Sequence, residues 1–308
     1  MDPRHVALTA LLLSAACGGP DPAPPPDLGR LVGDTAGLVE RGAYIVRDVS
    51  VCGHCHAADP EMDPDGPLSG GMAFNGWRTG TIRAANITPD VATGIGDWSD
   101  AEVVRALRTG VHRDGRILLP IMPYFWFNGM SDRDALAVAR YLRSRPPVEH
   151  GVENDPSLFY RILGEAFVSP EPPVEGPQRA PPAGPTAEYG AYLATRVALC
   201  ADCHTPREGI RQTWDTDRLF AGADDPPSGF PARPDNLTPD SATGIGDWSE
   251  EDFLRTLDTG VNPAGDTLHP FMPWRQVRRM RQDDLRAIYR YLRTLPPIRH
   301  EVSEAPPE

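Results

Sequence analysis

The sequence predicts an all-α protein built from two tandem copies of one small helical module. The segment Asn86-Ile-Thr-Pro-Asp-Val-Ala-Thr-Gly-Ile-Gly-Asp-Trp-Ser99 returns almost unchanged as Asn236-Leu-Thr-Pro-Asp-Ser-Ala-Thr-Gly-Ile-Gly-Asp-Trp-Ser249, an offset of 150 residues. Both copies begin and end with helical periodicity, and nothing between alternates as a half-buried strand does. Such self-similarity indicates duplication of one structural unit.

The offset sets the domain boundaries that we predict. We expect homologous domains at residues 35–150 and 186–300, a Pro-rich linker at 151–185 and a tail at 301–308. Within the linker, residues 170–185 are rich in Pro, Glu and Gly, which is typical of a semi-rigid spacer.

The helices of each copy follow from local signals. The first is expected at residues 38–51 and 187–199, and the last at 132–143 and 283–293, where Pro-Pro stops it. A middle helix opens with two repeat-matched motifs: Ser99-x-x-Glu102, a capping box, and Ser249-x-x-Asp252, its close relative.

The N-terminus predicts export to the periplasm. Residues 1–16 combine a weakly basic start with an apolar run that ends in small residues, as a secretory signal does. Cys17 follows directly, which resembles a bacterial lipoprotein signal and would make Cys17 the acylated start of a tether at 17–34. Ser14-Ala15-Ala16 also suits an ordinary cleavage that leaves a soluble protein. No other segment is apolar over the length of a membrane span.

The charge excludes one class of function. The net charge is −13, and all thirty basic residues are arginines. Binding to nucleic acid is not expected of so acidic a chain.

Four of the five cysteines fall in two Cys-x-x-Cys-His motifs, Cys52-Gly-His-Cys55-His56 and Cys200-Ala-Asp-Cys203-His204. This is the haem-attachment signature. Thiols three residues apart on a helical turn face the same way and can reach both vinyl groups of one porphyrin, while the adjacent His ligates iron. Zinc would need four donors, and a thiol redox site would need a βαβ pattern that is absent. We therefore predict two covalently bound haem c groups.

The second axial ligand of each iron decides between electron transfer and catalysis. Met122 and Met272 match between the copies and lie in proline-punctuated loops, so we assign them as distal ligands. Met130 and Met280 also match, but they precede the last helix, where core packing is expected.

The remaining histidines are weaker ligand candidates. His112 and His269 have Asn262 and Leu119 at their matched positions, so they do not support one shared ligation scheme. His150 and His300 match each other but follow the Pro-Pro stops, where solvated turns are expected.

Two further matched pairs are candidates for the surroundings of the haem. Trp98 and Trp248 precede the capping serines. Two roles are compatible with this position, an apolar contact at the start of the helix and a contact with the haem edge. Arg83 and Arg233 are candidates to neutralise haem propionates. The alternative is that both are ordinary surface arginines.

Together these motifs resemble the class I cytochromes c, particularly the cytochrome subunits of periplasmic dehydrogenases for alcohols, aldehydes and related substrates. The resemblance rests on Asn-Ile-Thr-Pro-Asp, Thr-Gly-Ile-Gly-Asp-Trp-Ser, Met-Pro-Tyr and Tyr-Leu-Arg-x-x-Pro-Pro. It implies two tandem class I cytochrome c domains with crossed terminal helices, whose close approach Gly42 and Gly190 permit. It also implies the axial pairs His56/Met122 and His204/Met272, and thioether links at Cys52, Cys55, Cys200 and Cys203.

The expected function is transfer of single electrons without substrate chemistry. The resemblance implies a dehydrogenase or other donor and a respiratory acceptor, such as a cytochrome or an oxidase. A non-catalytic module in a larger oxidoreductase complex would use the same haems. The alternative is a dihaem enzyme, such as a peroxidase or a sulfur-compound oxidising cytochrome, in which one distal ligand is exchangeable.

Overall fold

The computed structural model describes residues 28, 36–59, 63, 65–76, 78–164, 168–209, 213–224 and 233–302. The predicted secretory signal, Cys17 and most of the expected tether lie outside the described residues. None of the described helices is both long and apolar enough to cross a membrane.

The described chain is mostly helical. Its first half contains α1 (Leu38–Tyr44), which continues as a π-helical turn (Ile45–Val49), then α2 (Gly53–His56), α3 (Asp100–Thr109), α4 (Tyr124–Phe127), α5 (Asp132–Arg143) and α6 (Leu158–Leu163). The second half repeats the order with α7 (Ala187–Tyr192), a π-helical turn (Leu193–Val197), α8 (Cys200–His204), α9 (Glu250–Thr259), α10 (Trp274–Val277) and α11 (Gln282–Leu292). We call residues 35–150 and 186–300 the first and second repeats.

The prediction of an all-α chain was wrong in one respect, because two small antiparallel sheets are present. One sheet has the order β1 (Ala73–Gly76), β2 (Gly80–Arg83) and β3 (Asp155–Pro156), and the other pairs β4 (Arg207–Glu208) with β5 (Thr213–Trp214). Strands of two to four residues are too short to show an alternating pattern in sequence.

Local capping explains where the middle helices begin. In both repeats the Ser side chain accepts a hydrogen bond from the backbone N–H three residues later, and the carboxylate there accepts one from the Ser N–H. Both predicted caps are confirmed, including the Asp252 variant. Each helix then ends at a glycine in the left-handed conformation, Gly110 or Gly260.

The terminal helices of each repeat cross in close contact. A Cβ added at Gly42 of α1 would overlap the backbone carbonyl of Ala137 in α5, and one at Gly190 of α7 would overlap that of Ala287 in α11. Only glycine allows these backbones to approach so closely.

The two repeats contact each other reciprocally. Tyr44 of the first donates a hydrogen bond to Asp284 of the second (2.6 Å), and the matched Tyr192 donates one to Asp134 (2.7 Å). The backbone N–H three residues before each aspartate donates to the same tyrosine oxygen, at 3.0 Å in both cases. One hydrophobic core contains buried residues of both repeats.

The segment between the repeats lies on the first of them. Its strand β3 pairs with β2, so that Asp155 is opposite Thr81. Farther along, the Asp132 N–H donates a hydrogen bond to the Gln178 carbonyl (2.9 Å), and the Gln178 N–H donates one to the Asp132 carboxylate (2.9 Å).

Candidate haem sites

A cavity of about 1600 Å³ runs through both repeats. Both Cys-x-x-Cys-His motifs and both Met-Pro loops border it. Its lining includes Cys52, Cys55, His56, Met122, Cys200, Cys203, His204 and Met272. The structure thus places all four residues that the sequence selected in each repeat on this one cavity.

Local backbone geometry presents the cysteines to this cavity. A π-helical turn precedes each motif, and the residue just before each first cysteine has a positive φ, 43° at Val51 and 59° at Leu199. Left-handed geometry is unfavourable for such side chains, above all for β-branched valine, and π turns commonly occur at functional sites. Because both features recur, the two motifs leave their helices in the same way.

The motif histidines are oriented as metal ligands should be. Nδ1–H of His56 donates to the Ala85 carbonyl (2.8 Å), and that of His204 donates to the Asp235 carbonyl (2.7 Å). Burial lowers the pKa of both imidazoles, although these hydrogen bonds oppose the shift. Each ring is therefore neutral and keeps the Nε2 lone pair available for a metal.

The four motif thiols differ from those of a reactive redox site. In the described part of the chain the four cysteines form no disulfide. Burial raises the pKa of Cys52, Cys55 and Cys200 to about 12, and that of Cys203 rises for the same reason. A reactive redox thiol has a lowered pKa instead. Among the described residues, no three His, Cys, Asp or Glu side chains are grouped to hold a metal ion.

The two methionine pairs differ in their surroundings. Met122 and Met272 are half-buried at the cavity, and their loops have the same hydrogen bond. In each loop the methionine carbonyl accepts from the backbone N–H two residues later, at 2.8 Å. Met130 and Met280 are almost fully buried in the core. Met280 also borders the cavity, whereas Met130 does not.

The other candidate histidines have polar partners. His112 borders the cavity, packs edge-on against Trp98 (4.7 Å between ring centroids) and lies 2.8 Å from the Asp114 carboxylate. His269 also borders the cavity, and its Nδ1 accepts from the Phe271 N–H. The matched His150 and His300 each donate a hydrogen bond to a backbone carbonyl, that of Ser69 or Ala221.

The proposed haem surroundings are at the cavity as well. Trp98, Trp248, Arg83 and Arg233 all line it, and Trp98 also belongs to the buried core. The tryptophans can therefore make an apolar contact at the start of the helix and also lie beside a porphyrin.

Sequence reasoning missed a buried ion pair beside the second motif. Asp202, inside Cys-Ala-Asp-Cys-His, lies 3.0 Å from Arg207, and both side chains are more than nine-tenths buried. The sequence did carry a signal, an acidic residue between two haem-binding cysteines. Because charged residues are rarely buried without a partner, an acid at this position predicts a basic residue nearby.

No protein-family model matches the chain. A relative described as a dihaem c-type cytochrome, from Cereibacter sphaeroides, is 32% identical over 257 residues, which cover 80% of this chain and 82% of the relative. The chain belongs to the dihaem c-type cytochromes. This cytochrome therefore carries covalently bound haem c, whose iron undergoes one-electron redox change.

Longer relatives give further context. The cytochrome c subunit of a quinone-dependent alcohol dehydrogenase from Gluconacetobacter polyoxogenes is 33% identical over 281 residues, covering 85% of this chain and 56% of the relative. The gluconate 2-dehydrogenase cytochrome c subunit of Pantoea cypripedii is 33% identical over 272 residues, covering 84% and 59%. The cytochrome thus spans little more than half the length of these subunits. These similarities indicate an electron-transfer protein and give no support to the enzymatic alternative.

Proposed function

We propose that this cytochrome holds one haem in each repeat and passes single electrons between a dehydrogenase and a respiratory acceptor. The observation that carries the proposal is the matched set of two cysteines, one histidine and one methionine that each repeat places on a common, mainly apolar cavity.

The residues that would hold the cofactor follow from this set. Cys52 and Cys55 in the first repeat, and Cys200 and Cys203 in the second, would form the thioether links. His56 and His204 would be the proximal ligands, and Met122 and Met272 the distal ones. Bound haem iron supplies the one-electron change, and a thioether ligand favours the reduced state and so raises the potential.

The chain's own residues then orient and shield each site. The carbonyls of Ala85 and Asp235 fix the ring planes and tautomers of the proximal histidines. Ligation by Met122 and Met272 would leave neither site a position for substrate. Arg83 and Arg233 at the cavity wall are suited to pair with propionates.

We also propose that the repeats are two tandem class I cytochrome c domains, with 151–185 as their linker. The crossed helix pairs α1/α5 and α7/α11 and the repeated order of elements support this assignment.

Export and anchoring rest on the sequence of the N-terminus. Residues 1–16 support a secretory signal, and Cys17 supports a lipid anchor on the periplasmic side of the membrane. Mass spectrometry of the purified N-terminal peptide would show diacylglycerol on Cys17, and a Cys17→Ser variant would appear in the soluble periplasmic fraction. An unmodified N-terminus generated by cleavage before Cys17 would contradict the anchor.

The dehydrogenase partner is inferred from the relatives. Two of them are named as cytochrome c subunits of alcohol and gluconate dehydrogenases, and the matched region is most of this chain. Copurification of the tagged cytochrome with a dehydrogenase whose substrate reduces the haems would support the partnership.

Haem stoichiometry tests the central claim. Haem content is expected to be two per chain, one after Cys52→Ala/Cys55→Ala, and one after Cys200→Ala/Cys203→Ala, as measured by the pyridine haemochrome spectrum. A wild-type content below two, or ready binding of carbon monoxide at both irons, would overturn the proposal.

A further inference from the structure

The two haem-attachment motifs carry different residues at their third position. The second repeat has Asp202 there, ion-paired with Arg207 at 3.0 Å, with only 9% and 6% of the two side chains exposed. The first repeat has His54 and Asp59 at the matched positions. His54 packs edge-on against Phe271, with 4.6 Å between the ring centroids. The buried ion pair therefore distinguishes two otherwise similar sites.

Aromatic residues hold this pair at the contact between the repeats. The indole N–H of Trp214 donates to the Asp202 carbonyl (3.2 Å), and the Arg207 guanidinium lies 4.3 Å from the centroid of the Trp214 rings. Trp214 also stacks on Phe125 of the first repeat, with 4.8 Å between the ring centroids. Phe125 comes three residues after Met122, so Trp214 connects the ion pair to the segment that follows the Met-Pro loop of the first site.

The carboxylate end of the pair faces both motifs. Asp202 lines the same cavity as Cys52 and Cys55 of the first repeat and Cys203 of the second, whereas Arg207 is not part of that lining. The negative end of the ion pair is thus the end at the space that both attachment points border, in an interior where charges are poorly screened.

We propose that Asp202 is a shared buried negative charge that lowers the reduction potentials of both haems, and that Arg207 holds it in place. The inference rests on the proposed function, because it requires a haem at each motif. A fixed negative charge stabilises ferric haem more than ferrous haem, and its effect is expected to be larger at the second haem, whose attachment motif contains it.

The test is spectroelectrochemical titration of the haem-loaded cytochrome. In Asp202→Asn the anion is lost while Arg207 stays charged, so both midpoint potentials are expected to rise, with the larger rise at the second haem. In Asp202→Asn/Arg207→Gln both charges are lost, so the potentials are expected to lie between those of the wild type and the single variant. Asp283→Asn is the matched control, since its exposed pair with Arg286 is screened by water; its potentials are expected to stay unchanged.

The sign of the shift separates this role from a purely structural one. A loosened fold would admit water to the haems, stabilise the oxidised state and lower the potentials. Unchanged or lowered potentials in Asp202→Asn would therefore overturn the inference. Should the single variant fail to fold, the double variant, which leaves no unpaired buried charge, decides it: potentials at or below those of the wild type overturn it. Haem content and the sulfur-to-iron band, measured on the wild type, report separately on the proposed function.

Discussion

At the scale of single residues, the two methionine pairs show how surroundings separate a ligand candidate from a core residue. Met122 is half-buried at the cavity, in a loop between prolines. Met130, eight residues later, is fully buried in the hydrophobic core and does not border the cavity. The same residue type thus has two environments within one repeat, and these form a matched experimental pair.

We expect Met122→Ala to remove the contribution of one haem to the weak near-infrared sulfur-to-iron band, and Met272→Ala to remove that of the other. Met130→Ala is expected to keep the full band and to lower the free energy of unfolding by about 2–5 kcal/mol, since it leaves a cavity in the core. Near-infrared spectra and chemical denaturation measure the two effects. Loss of the band in Met130→Ala instead would reverse the assignment.

At the scale of elements, the crossings of α1 with α5 and of α7 with α11 depend on the absence of a side chain. Gly42 and Gly190 both face a backbone carbonyl of the partner helix. Since carbonyls belong to the rigid helix backbone, neither contact can relax by rotation of a side chain.

Gly42→Ala is expected to separate α1 from α5 and to destabilise the haem-loaded cytochrome by about 1–3 kcal/mol, the usual cost of overpacking. Gly151→Ala serves as the control, because a Cβ there meets nothing within 4 Å. Thermal unfolding monitored by far-ultraviolet circular dichroism compares the two. Equal melting temperatures would show that the crossing tolerates a methyl group.

Elements were predictable from sequence where their determinants are local. The helix at Asp132–Arg143 has its predicted bounds because its cap and its Pro-Pro stop lie beside it. The short strand β3 was missed because its partner β2 lies more than seventy residues earlier. The cavity ligands were predictable as repeat-matched motifs, whereas Asp202 has His54 at its matched position, so comparison of the repeats does not select it.

At the scale of the whole molecule, charged contacts join the repeats beside the apolar core. Arg279 of the second repeat lies 2.9 Å from Asp48 and donates to both carboxylate oxygens of Asp65 in the first. It also donates to the Arg47 carbonyl at 2.9 Å. These groups are about one-third exposed, so their contribution depends on pH and salt.

Acid is expected to weaken this contact. Hydrogen bonds from Arg279 lower the pKa of Asp65, and Arg47 and Asp48 are the other charged groups beside it. A lowered carboxylate pKa gives stability that is present above the unfolded-state value and is lost as the pH falls through the folded-state value. The melting temperatures of wild type and Asp65→Asn are therefore expected to differ at pH 7 and to converge below about pH 4. Asp63→Asn, a change at an exposed neighbour, is expected to keep the melting temperature of the wild type at every pH. A difference between wild type and Asp65→Asn that stays the same at every pH would refute this linkage.

The mutual hydrogen bonds of Tyr44 with Asp284 and of Tyr192 with Asp134 have a consequence for how the molecule is assembled. Each half presents both the donor and the acceptor of the same contact, so its surface is complementary to its own copy. This is the arrangement of an isologous dimer whose subunits are joined into one polypeptide. Once the halves are covalently joined, their association no longer depends on protein concentration, and each partner position can diverge independently, as His54 and Asp202 have done.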